Sequence, residues 1–276
     1  MAEATGISWA TSTFNPWIGC TAVSPGCDNC YAETLATRHR WVEWGPHALR
    51  RRTSSANWAK PLTWNRKAAK SGQPWRVFCS SLADVFDNRA PEGAQEDLWA
   101  LIRATPFLTW MLLTKRPGNI VKMLPPDWGS GWTNVWLGTT VENQAEAERR
   151  LPALLSVPAT LHFLSCEPLL GPVDLYRVAE GNGWMRDALV GMRWHPGATA
   201  DVRQGCRSEG HARVGWVIAG GESGHRARPI EPAWAQALRD RCDAAGVPFH
   251  FKQWGGPNPK AAGHLLDGAE RLAVPA

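Results

Sequence analysis

The stretch Val214-Gly-Trp-Val-Ile-Ala-Gly220-Gly-Glu-Ser-Gly224, followed by the run Pro232 to Ala245 and then Gly246-Val-Pro-Phe-His-Phe251-Lys252, carries the whole architectural rhythm of this chain. An apolar run ends at a polar, glycine-rich tip. A helical stretch follows, with Pro232 near its start and Gly246 just after it, which are ordinary start and stop signals. A second apolar run then closes the unit. Two short apolar runs joined by an amphipathic helix are what a parallel strand pair with a crossover requires.

The same rhythm runs back towards the N-terminus. Further apolar runs are Trp75-Arg-Val-Phe-Cys79, Leu108-Thr-Trp-Met-Leu-Leu113, Val135-Trp-Leu137 and Leu161-His-Phe-Leu164. Helical stretches are expected at about 92–104, 117–124, 143–156 and 231–245, with Leu151, Leu154 and Leu155 on one side of the third. A first strand is expected at about 6–14. The predicted fold class is therefore α/β, a partial (β/α) barrel of about six to seven parallel strands, with a doubly wound open sheet as the alternative. The chain reads as one domain over 1–276. A basic, Trp-rich segment at 34–74 and an insertion or mobile loop at about 180–213 interrupt it.

Composition narrows the class. Hydrophobic residues make up 44% and charged residues 20% of 276 residues, which fits an ordered globular protein. No apolar run reaches the roughly 18 residues of a membrane span. The N-terminal residues lack the basic and apolar regions of a signal peptide, so a cytoplasmic protein is expected. Seven cysteines in this length do not read as a secreted disulfide framework. Cys79 and Cys166 lie in apolar runs and are most simply core residues.

Cys20, Cys27 and Cys30 are different. They sit together in Phe14-Asn-Pro-Trp-Ile-Gly-Cys20-Thr-Ala-Val-Ser-Pro-Gly-Cys27-Asp-Asn-Cys30-Tyr31. Two residues between Cys27 and Cys30 let neighbouring thiolates converge on a metal or cluster, and Pro25-Gly26 supplies a turn. Three thiolates without a close fourth leave one coordination position open, as reactive centres do and structural zinc sites do not. The non-catalytic alternative is a zinc or cluster staple completed by a distant cysteine.

Net charge is +5, unevenly spread. From Arg38 to Lys70 nine Lys or Arg face one acid, Glu43, with Trp41, Trp44, Trp58 and Trp64 interleaved. Cations for phosphates beside rings for bases suit a nucleic-acid surface. Arg50, Arg51, Arg52, Lys60, Arg66 and Lys67 are the candidate contacts. The plainer alternative is a solvated face whose tryptophans pack inward.

In β/α folds functional groups gather where strands end. The tips here are polar: Ser80-Ser-Leu-Ala-Asp84, Thr114-Lys-Arg-Pro117, Gly138-Thr-Thr-Val-Glu142-Asn143, Ser165-Cys-Glu-Pro168, Gly220 to Gly224 and Lys252-Gln-Trp-Gly255. Asp84, Lys115, Arg116, Glu142, Glu167, Glu222, Arg228, Lys252 and Gln253 are expected to face one cavity. Lys115, Glu167, Glu222 and Lys252 are the candidate catalytic groups.

This ordered set of motifs, with Glu167-Pro-Leu-Leu-Gly-Pro172 and Phe251-Lys-Gln-Trp-Gly255 included, resembles the phage-associated three-Cys-motif family. More distantly it is similar to the spore photoproduct lyase branch of the radical S-adenosylmethionine superfamily. The resemblance implies a 4Fe–4S cluster on Cys20, Cys27 and Cys30 whose unique iron chelates S-adenosyl-L-methionine. It further implies one-electron cleavage of that cofactor to a 5′-deoxyadenosyl radical, with a donor such as flavodoxin or ferredoxin. Ser80 and Asp84 would accept from the cofactor's ammonium, and Tyr31 would pack against the cluster or adenine. Lys115 would hold the methionine carboxylate or a substrate phosphate, with Arg116 beside it. Glu167 and Glu222 would meet ribose hydroxyls or substrate donors. The superfamily's common cysteine spacing is three residues and then two, whereas six separate Cys20 from Cys27 here. The expected activity is modification or repair of a nucleic acid or nucleotide, the alternative substrate being a small metabolite or peptide.

Overall fold

The computed structural model describes residues 5–181, 183–196 and 207–275. Contacts divide the chain into two compact units, Met1–Gly138 and Thr139–Ala276.

The first unit holds β1 (Ser12–Phe14), α1 (Tyr31–Arg38), α2 (Ser55–Trp58), α3 (Lys60–Ser71), β2 (Trp75–Cys79), α4 (Ala94–Arg103), β3 (Leu108–Thr114) and α5 (Ile120–Met123), and most of β4 (Val135–Thr140). β1 pairs in parallel with β2, Phe14 opposite Cys79, and β2 pairs in parallel with β3, Cys79 opposite Leu112. Phe14, Val77, Phe78, Trp110, Met111 and Leu112 are all buried, so both faces of these strands are covered. That is why they read as continuous apolar runs rather than alternating ones. Pro61, Trp64 and Ala68 on α3, and Ala94, Leu98, Leu101 and Ile102 on α4, are among the buried helical positions and recur at the spacing of one helix face.

The second unit holds α6 (Gln144–Leu155), β5 (Leu161–Cys166), β6 (Val214–Ala219), α7 (Pro232–Ala245) and β7 (Phe249–Phe251). Asn143 caps α6 by accepting from the Glu146 amide at 3.0 Å, and Gly246 ends α7 in the left-handed conformation. β5 pairs in parallel with β6, Ser165 opposite Ile218, and β6 with β7, Ile218 opposite His250.

The seven strands form one parallel sheet whose spatial order is their chain order. This is the arrangement of a partial β/α barrel. A doubly wound sheet would reverse its order partway, so that alternative is excluded.

Three expectations need correction. The first strand occupies only Ser12–Phe14, because the residues before it form a turn in which the Ala10 amide donates to the Ile7 carbonyl at 3.1 Å. Of the two readings of 180–213, an insertion or a mobile loop, the mobile loop needs correction, because the stretch contributes to a small antiparallel sheet of Val178–Ala179, Met185–Asp187, Met192–Trp194 and Arg207–Ser208; residues 182 and 197–206 of it lie outside the described residues. Glu142 does not line a cavity. It is fully buried and accepts from Arg150 Nη1 at 2.7 Å, an ion pair inside the second unit.

Candidate functional site

The cysteine loop leaves the carboxyl end of β1 and is fixed by groups around it. Asn15 is buried, and its Oδ1 accepts from the backbone amides of Ser81 and Leu82 at 2.8 and 2.7 Å. The tip after β2 is thereby tied to the loop after β1. Gly19 follows with φ +115°, a region that favours glycine, and a Cβ there would meet Arg50 Cδ at 3.0 Å. Cys20 comes next, then a 3₁₀ turn at Pro25–Cys27, and Cys30 occupies the N-cap position of α1.

All three thiols are half-buried and none is in a disulfide. Burial pushes the Cys20 thiol up, helped by the Asp84 charge and opposed by Arg116, to about 11. Burial also raises the Cys30 thiol, and the first amides of α1 work against that rise without capping the helix through its sulfur. The Lys115 charge acts in the same direction on Cys30. Lys115 has no carboxylate partner among the described residues.

Arg116 joins the tip after β3 to this loop. Its Nη1 donates to Asp84 Oδ2 at 2.9 Å and to Cys20 Sγ at 3.4 Å, and its Nη2 donates to the Thr21 carbonyl at 2.8 Å. Arg50 holds the same residue from another side, donating to Thr21 Oγ1 at 2.6 Å.

The resemblance gives Ser80 and Asp84 a cofactor's ammonium to bind; the structure gives both of them partners within the chain. Asp84 Oδ1 accepts from Thr114 Oγ1 at 2.7 Å and the Phe86 amide at 3.0 Å. Its Oδ2 accepts from the Lys115 amide at 3.0 Å and from Arg116. With about four lone-pair sites on a carboxylate, Asp84 is fully engaged. Ser80 donates to the Ala83 carbonyl at 2.8 Å, shaping its own turn. Tyr31 is 55% exposed and its hydroxyl donates to the Ser81 carbonyl at 2.8 Å, so its ring stands at the loop's surface with the far end fixed.

The second unit carries its own cluster at the ends of β5, β6 and β7. Lys252 Nζ pairs with Glu167 Oε1. Glu222 is buried and takes a forked contact from Arg228, Nε to Oε2 at 2.9 Å and Nη2 to Oε1 at 2.6 Å. Gln253 Nε2 donates to Ser223 Oγ at 2.6 Å. A Cβ on Gly221 would lie 1.9 Å from the Trp254 carbonyl oxygen, so only glycine fits between these tips. Glu222 and Arg228 satisfy each other, which makes them a brace rather than free catalytic groups.

A family model described as "Protein of unknown function (DUF5131)" matches residues 4–275. The chain belongs to this DUF5131 family. No curated protein and no solved structure matches it.

The basic segment of this DUF5131 chain divides in a way its composition conceals. Arg50 is a buried structural residue, not a nucleic-acid contact. Its side chain is 0% exposed, it donates from Nε to Asp87 Oδ2 at 2.8 Å, and its Nη1 donates to the carbonyls of Gly45 and Ala48. Arg52 pairs with Asp97 and lies 4.4 Å over the Trp58 ring. Arg51, Arg66 and Lys67 are exposed and Lys60 is partly so. The tryptophans pack inward. Trp64 is buried, Trp58 meets Phe14 edge-on, and Trp41 and Trp44 pack against Ile18, Ala32, Ala36 and Leu82. Charge and rings therefore separate: Arg51, Arg66 and Lys67 are exposed, whereas the four tryptophans are buried or half-buried.

An open cavity of about 580 Å³ lies along α1, lined by Glu33, Thr37, Arg40, Val42, Glu43 and Trp44. None of the candidate site residues lines it.

Among the described residues no three His, Cys, Asp or Glu side chains converge as a single metal ion would need. A zinc staple also lacks a fourth thiol there, since Cys79, Cys166 and Cys242 are buried, and Cys206 lies outside the described residues. A cubane makes a different demand, because each thiolate binds a different iron and the sulfurs need not meet at one point. Three thiols on one loop, none in a disulfide and one of them accepting from a guanidinium, are the soft donor set that such a cluster takes.

Proposed function

We propose that this chain is a radical S-adenosylmethionine enzyme whose cluster is held by Cys20, Cys27 and Cys30, and whose substrate is a nucleic acid or nucleotide. One observation carries the reading: three half-buried thiols, none in a disulfide, share the loop at the carboxyl end of β1, and the Arg116 guanidinium donates to one of their sulfurs. When bound, the cluster and its sulfonium cofactor supply one-electron cleavage to a 5′-deoxyadenosyl radical.

The chain's own residues supply position and charge. Cys30 sits at the N-cap of α1, where the helix's positive end favours negative charge on a ligating sulfur. Lys115 brings a cation to the same loop, where it would hold the cofactor's carboxylate. Tyr31, anchored through its hydroxyl, offers a ring beside Cys30. Asp84 acts by holding Thr114, Lys115 and Arg116 in place. In the second unit Glu167 and Lys252 present an ion pair for substrate hydroxyls or phosphates. Arg51, Lys60, Arg66 and Lys67 supply phosphate contacts, and a donor of the flavodoxin or ferredoxin class supplies the electron.

Anaerobic reconstitution tests this. A brown protein with about four irons per chain is expected, together with 5′-deoxyadenosine when S-adenosylmethionine and dithionite are added. Cys27→Ala should lose the nucleoside product. A colourless wild-type protein holding one zinc would reject the reading.

A further inference from the structure

We infer that Arg116 is a positioning residue that sets the reduction potential of the cluster through its contact with Cys20, with Asp84 as its counterweight. This rests on the cluster reading above and deepens it. The step concerned is one-electron uptake: a reduced donor of the ferredoxin class gives one electron and is oxidised by one, and no bond or proton changes hands.

The geometry joins two opposed charges at one ligand. Arg116 Nη1 reaches Cys20 Sγ at 3.4 Å and Asp84 Oδ2 at 2.9 Å. The side chains of Arg116 and Asp84 are only 13% and 7% exposed, so solvent screens them weakly. A hydrogen bond to a ligating sulfur stabilises the added electron and raises the potential. A buried carboxylate close to that sulfur acts the other way. Because Asp84 is already saturated by its own chain, its place is fixed. Arg116 is fixed in turn by Asp84 and by the Thr21 carbonyl at 2.8 Å. Such a pair has little freedom to move away as the cluster changes charge.

Two variants separate this role from simple support of the fold. Arg116→Gln removes the cation and leaves Asp84 uncompensated, so the cluster should become harder to reduce by at least tenfold in equilibrium constant, about 59 mV for one electron. Asp84→Asn removes the carboxylate and leaves the cation, so the shift should be of similar size and opposite sign. Dye-mediated redox titration followed by electron paramagnetic resonance reads both, with no cofactor or substrate present, and iron per chain is measured on each sample. If one variant fails to retain iron, the sign of the other decides. Shifts in the same direction, or shifts below threefold, overturn the role of Arg116. A wild-type chain that takes up no iron overturns the cluster reading itself, so the two failures are distinguishable.

Discussion

Arg50 donates from Nε to Asp87 Oδ2 at 2.8 Å, and both side chains are closed to solvent. Thirty-seven residues separate them, yet the pair fixes the cysteine loop, because the same guanidinium also holds Thr21 and two carbonyls. Three consecutive arginines thus have separate duties: one is internal, one is exposed, and one pairs with Asp97 at the surface.

Removing the internal one leaves a buried carboxylate without its partner. Arg50→Ala should cost about 3 kcal/mol in urea denaturation, as broken buried ion pairs do. Arg50→Lys should recover little of it, since one ammonium cannot serve the four acceptors of a planar fork. A loss below about 1 kcal/mol, the range of surface pairs, would show that the pair does not brace the loop.

Gly221 offers a second test, in the other unit. Its added methyl would strike the Trp254 carbonyl oxygen, which is backbone and has nowhere to go. Gly221→Ala should lower stability by about 3 kcal/mol, at the upper end of overpacking. Gly118→Ala meets nothing within 4 Å and should stay within about 0.5 kcal/mol. Equal melting temperatures for the two variants would refute the packing.

Phosphate contacts should follow exposure rather than composition. Replacing Arg66 and Lys67 with Gln should weaken binding to single-stranded DNA or RNA. It should also flatten the slope of log K against log salt by about one unit per cation. Fluorescence anisotropy across a salt series measures this. An unchanged slope removes α3 from the interface.

The small antiparallel sheet has its own pH signature. Burial opposes the charge on Glu180, but hydrogen bonds and charge from Arg186 and Arg193 outweigh it and hold the carboxyl below its ordinary 4.5. The stabilisation is therefore complete above that ordinary value and is lost as pH falls through the lower folded value. The stability gap between wild type and Glu180→Gln should shrink on acidification from about pH 6 to pH 3. A gap independent of pH would show that Glu180 is not held ionised by its arginines.

Much of the fold was legible in the sequence. Trp75–Cys79 and Val214–Ala219 begin and end where their apolar runs do, because consecutive buried residues, Val77 to Cys79 and Trp216 to Ala219, lead straight into a polar or glycine tip. Two- and three-residue strands such as Val178–Ala179 and Met185–Asp187 are too short to show a period, so the small sheet was hidden. The candidate site was legible in type more than in arrangement. Cysteine spacing marked the loop, but the partners of Asp84 come from Phe86 and from the next strand's tip, and no local pattern announces that a carboxylate is already filled. Arg50 was misread for a related reason. Charge counting cannot tell an inward arginine from its neighbours when the acid that claims it lies elsewhere in the chain.

Thr21 is gripped at its carbonyl by one arginine and at its hydroxyl by another, and the 3₁₀ turn begins only at Pro25, with Ser24 tied to Cys27 through its carbonyl. The linker between the first two thiols is consequently pinned at both ends. A strain placed on either end of that linker is therefore met by an arginine or by the 3₁₀ turn before it reaches a sulfur.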